Sequence, residues 1–106
     1  MYGRFDTIYR GTTPAIELDV PYDTRLISKL YATWTQEGET VLEMDVADVM
    51  VGEGKVWLPM QQADTLALGP GFATMQIRAL FSDGSAIASD PQVYRVVDAL
   101  KEGVIS

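Results

Sequence analysis

Apolar and polar residues alternate along most of this chain, and this period of two limits most strongly what the chain can fold into. Successive side chains of a β-strand point to opposite faces, so an alternating segment buries one face and exposes the other. The segment 72–81 alternates most clearly, with every second residue apolar: Ala73, Met75, Ile77, Ala79 and Phe81. The segment 28–36 places Leu30, Ala32 and Trp34 on one face. We therefore expect a chain built from strands, with Trp34 in its core.

Glycine-containing turns separate the alternating segments at intervals of roughly ten residues. Glycine reaches the positive φ that tight hairpins need, and such turns are predicted at 37–39, 52–54 and 82–85. Strands are predicted at 15–20, 28–36, 40–45, 55–59, 72–81 and 86–97. Pro91 predicts an edge position or a bulge in the last of these. About seven short strands favour an all-β, immunoglobulin-like β-sandwich, with a small barrel as the alternative.

Two segments depart from the alternation. Residues 61–66 predict a helical turn or two, ended by the Gly-Pro-Gly sequence at 69–71. In the short C-terminal tail, 98–106, the sequence also allows a helical turn at 98–102, with Asp98 as N-cap and Gly103 just past its end. One such turn would place Val97, Leu100 and Val104 on a common side, to which Ile105 adds at the end of the chain.

Composition excludes several kinds of chemistry. The 106 residues predict one domain, 1–106, and contain neither cysteine nor histidine, which removes thiol nucleophiles, the usual serine triad and most zinc sites. The net charge of −7 disfavours nucleic acid, and no apolar stretch spans a bilayer or forms a secretory signal. The densest acidic set, Asp45, Asp48 and Glu53, lacks the spacing of a calcium loop. We expect no enzyme activity, cofactor, metal ion, nucleic-acid partner or membrane partner.

Two places are predicted to contact a partner. Trp57 alternates against Val56 and Leu58, which indicates the outer face of its strand, where it would bind a protein or a sugar ring or pack beneath a loop. The tail carries Leu100, Val104 and Ile105 at a chain end, where residues are usually polar. These apolar residues either cover an open end of their own sandwich or dock on a neighbouring subunit, and we favour docking.

Several segments in the second half of the chain resemble a known group of proteins. In order, they are 54–58 (GKVWL), 65–68 (TLAL), 70–71 (PG), 75–78 (MQIR), 83–84 (DG) with 88–89 (AS), and 100–105 (LKEGVI). They resemble small proteins from the tail or baseplate gene region of Firmicutes phages and prophages. More distantly, they resemble the immunoglobulin-like N-terminal domain of phage upper-baseplate proteins. The early sequence RGTTP at 10–14 fits the same pattern, the likeness covers about residues 8–105, and the segment 21–51 departs most from it.

The resemblance implies a structural role in a virion or in its assembly, with no catalytic residues to transfer. The expected function is therefore a non-enzymatic structural or adaptor component of a phage tail or baseplate. Its expected partners are other tail or baseplate proteins, with self-association as a further option, and its expected location is the virion or the host cytoplasm. The alternative is a carbohydrate- or host-surface-binding β-sandwich module that uses Trp57 as a stacking platform.

Overall fold

Two β-sheets packed face to face form the framework of the protein. The computed structural model describes residues 6–19, 23–45, 50–52 and 54–106. The strands are β1 (Asp6–Tyr9), β2 (Ala15–Asp19), β3 (Ile27–Gln36), β4 (Glu39–Met44), β5 (Met50–Gly52), β6 (Lys55–Pro59), β7 (Gly71–Phe81), β8 (Ala86–Ala88) and β9 (Gln92–Val97). A 3-10 turn, Thr24–Leu26, precedes β3, and one short helix, α1 (Gln62–Ala67), joins β6 to β7.

The order of the strands is that of an immunoglobulin-like sandwich. The larger sheet runs β1-β9-β7-β3-β4, with β8 also beside β7, and the smaller sheet runs β2-β6-β5. In the larger sheet, β1 pairs in parallel with β9, whereas the other ladders of both sheets are antiparallel. No ladder joins the two sheets within the described residues, so the predicted sandwich is confirmed over the barrel alternative. The described residues contain nine strands where about seven were expected, because β1 and β5 are too short to show an alternating pattern and the last predicted strand is divided.

The inner faces of the two sheets form one apolar core. The smaller sheet contributes Ile16, Val56 and Leu58, and the larger sheet contributes the alternate residues of β3 and β7 that the sequence predicts. Trp34 is completely buried, and its ring centroid lies 5.2 Å from that of Tyr94. The predicted core position of Trp34 is confirmed.

The predicted irregularity near Pro91 divides the last strand. β8 pairs with Arg78–Leu80, whereas β9 pairs with Gly71–Met75 in a register shifted by one residue. Ser89 bridges the break: its amide donates to the Ile77 carbonyl at 2.8 Å, and its hydroxyl accepts from the Ile77 amide at 3.0 Å. A side-chain oxygen thus replaces the ladder partner that the bulge removes.

Only one of the two predicted helical segments is a helix. α1 lies where the 61–66 prediction placed it, and its Asp64 carboxylate accepts from the Gln61 amide as in a capping box. The segment 98–102 is not helical. The Asp98 carboxylate, expected to cap that turn, instead accepts a hydrogen bond from Arg10 Nη1 at 2.8 Å. In addition, a segment of only five residues is too short to form a stable isolated helix.

We predict that Trp34→Ala lowers the free energy of unfolding by about 3–5 kcal/mol, because it removes a large, fully buried side chain. Urea denaturation measures this loss. The control is Tyr31→Ala on the same strand, whose side chain is on the outer face and 41% exposed, and it should cost about 1 kcal/mol or less. An unchanged midpoint for Trp34→Ala would contradict the assigned core.

Candidate functional site

Trp57 lies on the outer face of the smaller sheet, as its alternation predicts. Its neighbours in β6, Val56 and Leu58, are buried, whereas Trp57 is half-buried and directly opposite Glu17 of β2. The indole Nε1 donates to Glu17 Oε1 at 3.0 Å. This hydrogen bond fixes the orientation of the ring, and the partner-binding role of Trp57 stays a prediction.

A glycine supports the Trp57 ring from below. A Cβ built at Gly52 would lie 2.7 Å from Cζ3 of Trp57, so only glycine lets the ring approach the strand β5 this closely. The Gly52 carbonyl also accepts the hydroxyl hydrogen bond of Thr24, which ties β5 to the 3-10 turn. The sequence indicated Gly52 as a turn residue. In the structure, Gly52 leaves the space that the Trp57 ring occupies, and this role becomes visible only when β5 and β6 are paired.

Charged side chains surround Trp57 on the same face. Lys55 Nζ donates to Asp19 Oδ1 at 2.8 Å and to Glu17 Oε2 at 3.3 Å. The hydrogen bonds to Asp19 and then Glu17 raise the pKa of Lys55 above its usual value. Two carboxylates therefore share one cation, and this acidic face, defined by Glu17, Asp19, Lys55 and Trp57, keeps a net negative charge.

The C-terminal tail lies against its own domain through its backbone. The Gln62 side chain of α1 accepts from the Ile105 amide at 2.7 Å and donates to the Ile105 carbonyl at 3.0 Å. The side chains of Leu100, Val104 and Ile105 nevertheless remain exposed, with Leu100 fully so. Because the tail is not helical, these residues do not form the single helical side that their spacing suggested. The tail thus contacts α1, whereas Trp57 contacts β2 and β5, so the predicted contact residues do not form one site.

The outer face of the larger sheet was not predicted as a contact surface. Tyr31 lies opposite Arg78, and Lys29 lies opposite Leu80, around a shallow depression of about 350 Å³. At the other end of β7, Phe72 lies opposite Arg95 and is 60% exposed. We call these six residues the basic face. The sequence signal for it is the presence of large apolar and cationic residues at positions that alternate against the core.

The cations of the basic face have no carboxylate partner among the described residues. The ion pairs in this part of the chain belong to Arg10, Arg25 and Lys55. Among the described residues that line the depression, Glu43 is a carboxylate; it accepts a hydrogen bond from Thr33 and keeps its negative charge, but the three cations of the basic face outnumber it. The basic face is therefore positively charged, although the whole chain carries −7.

Comparison with protein families and with curated sequences gives no match for this chain. No protein-family model matches this chain, and no curated protein is significantly similar to it.

In the part of the chain that the structure describes, no three or more Asp and Glu side chains are grouped so as to hold a metal ion. No helix among these residues has the length and apolar character needed to cross a membrane.

We predict that Gly52→Ala displaces Trp57 and destabilises the protein by about 1–3 kcal/mol, because the new methyl group overlaps the indole. The indole N–H resonance of Trp57 should shift as its bond to Glu17 breaks, and that of buried Trp34 should not. Urea denaturation and NMR spectra measure the two effects.

Gly69→Ala is the matched control, since a Cβ there meets its nearest atom, Gln36 Oε1, at an ordinary 3.7 Å. It should leave both indole resonances and the unfolding midpoint nearly unchanged. Equal effects of the two substitutions would show that the close approach of Trp57 to Gly52 is unimportant.

Proposed function

We propose that this protein is a non-enzymatic structural or adaptor component of a phage tail or baseplate and acts through protein–protein contacts. The observation that carries the proposal is the distribution of exposed apolar side chains. Large apolar residues are exposed on the outer face of the larger sheet and along the tail, among them Phe72, Leu80, Leu100, Val104 and Ile105. Exposed apolar patches on a small domain are typical of interaction sites, and Val104 and Ile105 are adjacent in the chain. The resemblance over residues 8–105 supplies the phage setting.

The tail is the first contact segment of this proposal. The paired hydrogen bonds between Gln62 and Ile105 hold its backbone, and the side chains of Val104 and Ile105 extend outward from it. A segment held in one conformation loses less entropy when it binds, which favours association. The structure provides this orientation without a helix.

The carbohydrate-binding alternative depends on Trp57. In its favour, the ring faces outward beside the carboxylates of Glu17 and Asp19, which are suitable acceptors for sugar hydroxyls. Against it, Gly52 contacts part of the ring, which leaves less of the ring for a sugar to stack on. Glu17 also already accepts a hydrogen bond from the indole N–H. A glycan array separates the two proposals: binding that disappears in Trp57→Ala would favour the alternative.

We predict that removal of residues 100–106 leaves the melting temperature within a few degrees of the full-length value, because the side chains lost are exposed. Binding to a tail partner should disappear. A full-length variant with Leu100, Val104 and Ile105 all changed to serine keeps the backbone bonds to Gln62 and should lose binding equally. A drop of about ten degrees with binding unchanged would assign the tail to its own core instead.

The setting is tested in the genome that encodes the chain. We expect tail or baseplate genes beside this one, and deletion of the gene should give particles with defective tails. Co-expression with each neighbouring tail protein should yield one stoichiometric complex, and the triple serine variant should not form it. Neighbouring genes unrelated to phage, or normal particles after deletion, would refute the proposal.

A further inference from the structure

The two outer faces of the sandwich differ in charge and point in opposite directions. The basic face of the larger sheet has Lys29, Arg78 and Arg95 without carboxylate partners among the described residues. The acidic face of the smaller sheet has Glu17 and Asp19 sharing Lys55. Because the inner faces of both sheets pack into one core, the outer faces are on opposite sides of the molecule.

Each face also offers apolar area beside its charges. On the basic face, Tyr31 and Leu80 are exposed next to Arg78 and Lys29. On the acidic face, the half-buried Trp57 lies between the strands that carry Glu17 and Gly52. Aromatic residues and arginine are enriched where proteins bind one another, and complementary charges select the partner.

We propose that the basic face of one molecule docks on the acidic face of a second copy, so that molecules associate head to tail. In this contact the carboxylates of Glu17 and Asp19 meet Arg78 and Lys29, and Trp57 meets Tyr31 and Leu80. The interface is heterologous: two different faces meet, and each associated pair keeps one free face of each kind. Repetition of the contact builds a ring if the rotation closes and a stack if it does not.

Charge decides between this arrangement and its rivals. A two-fold dimer through the basic face would place the three cations of one copy against those of the other, and a dimer through the acidic face would oppose the carboxylates. Like charges at an interface cost several kcal/mol. A nucleic acid would match the basic face but would leave the acidic face without a partner. A second copy supplies the complementary face without any other component.

The test is the mass of the purified protein in solution, measured by sedimentation equilibrium. At low salt the average mass of the natural protein should rise with concentration. In about 1 M salt the screening length falls to roughly 3 Å and the association should weaken. Arg78→Glu reverses one charge of the basic face, and Asp19→Lys reverses one charge of the acidic face. Each variant alone should associate roughly tenfold more weakly or remain monomeric.

Mixing the two variants gives the decisive measurement. Arg78→Glu keeps an intact acidic face and Asp19→Lys keeps an intact basic face, and the two changed faces carry opposite charges, so the mixture should regain the association that each variant alone has lost. Both positions are exposed, and matching amide NMR spectra establish that each variant is folded. Lys29→Glu on the same face replaces Arg78→Glu if that variant does not fold. Lys101→Glu and Glu102→Lys make the same charge changes on the exposed tail and should associate like the natural protein.

Three results would overturn the inference. They are a natural protein that stays monomeric at low salt, a variant mixture that stays monomeric, and an association that Arg78→Glu leaves intact but removal of residues 100–106 abolishes. The inference concerns self-association only and does not rest on the phage setting. A monomeric protein that still binds a neighbouring tail protein would refute this inference and support the proposed function.

Discussion

The ladder between β3 and β7 is the constraint on which the rest of the structure depends. It extends from Ile27 opposite Phe81 to Thr35 opposite Thr74 and lies in the middle of the larger sheet. At 30–34 of β3 and 73–81 of β7, every second residue is apolar and points to the same side, so the paired strands create a wide apolar surface whose exposure to water is unfavourable. The smaller sheet covers that surface with Ile16, Val56 and Leu58. The two-layer architecture follows from this need, because a sheet with one apolar face must pack against a second layer.

Arg10 connects three segments of the chain that are distant in sequence. Its guanidinium donates to the Leu68 carbonyl at 2.7 Å and the Leu66 carbonyl at 3.0 Å, and it pairs with Asp98. Carbonyls at the end of a helix lack partners within the helix, and a six-residue helix such as α1 has few internal bonds to stabilise it. One side chain therefore joins the chain after β1, the end of α1 and the segment after β9. The same ion pair occupies the carboxylate that a helical turn at 98–102 would have needed as its cap.

The features that the sequence predicts are the local ones. The alternation in 72–81 indicates β7 and its buried face, and the helix-forming residues before the glycines at 69 and 71 indicate α1. Features that depend on pairing between distant segments are not visible in this way. β5 has three residues and becomes a strand through β6, and the role of Gly52 requires Trp57 above it. The position of the tail depends on hydrogen bonds between Ile105 and Gln62, which are forty-three positions apart. The outward position of Trp57 is predictable from its neighbours, whereas its bond to Glu17 is not, because it depends on which strands pair.

Buried core positions and exposed positions alternate along the same strands, so residues of the basic face can be changed without changing the core. In β3, Leu30 and Ala32 stabilise the sandwich, while the intervening Tyr31 belongs to the basic face. The same division holds in β7, where Ala79 is buried between the exposed Arg78 and Leu80. A change of charge at an outer position therefore leaves the buried apolar area intact, since successive side chains never share a face. Because the ladders fix the backbone of these strands, the outer positions keep a constant spacing when their side chains are changed.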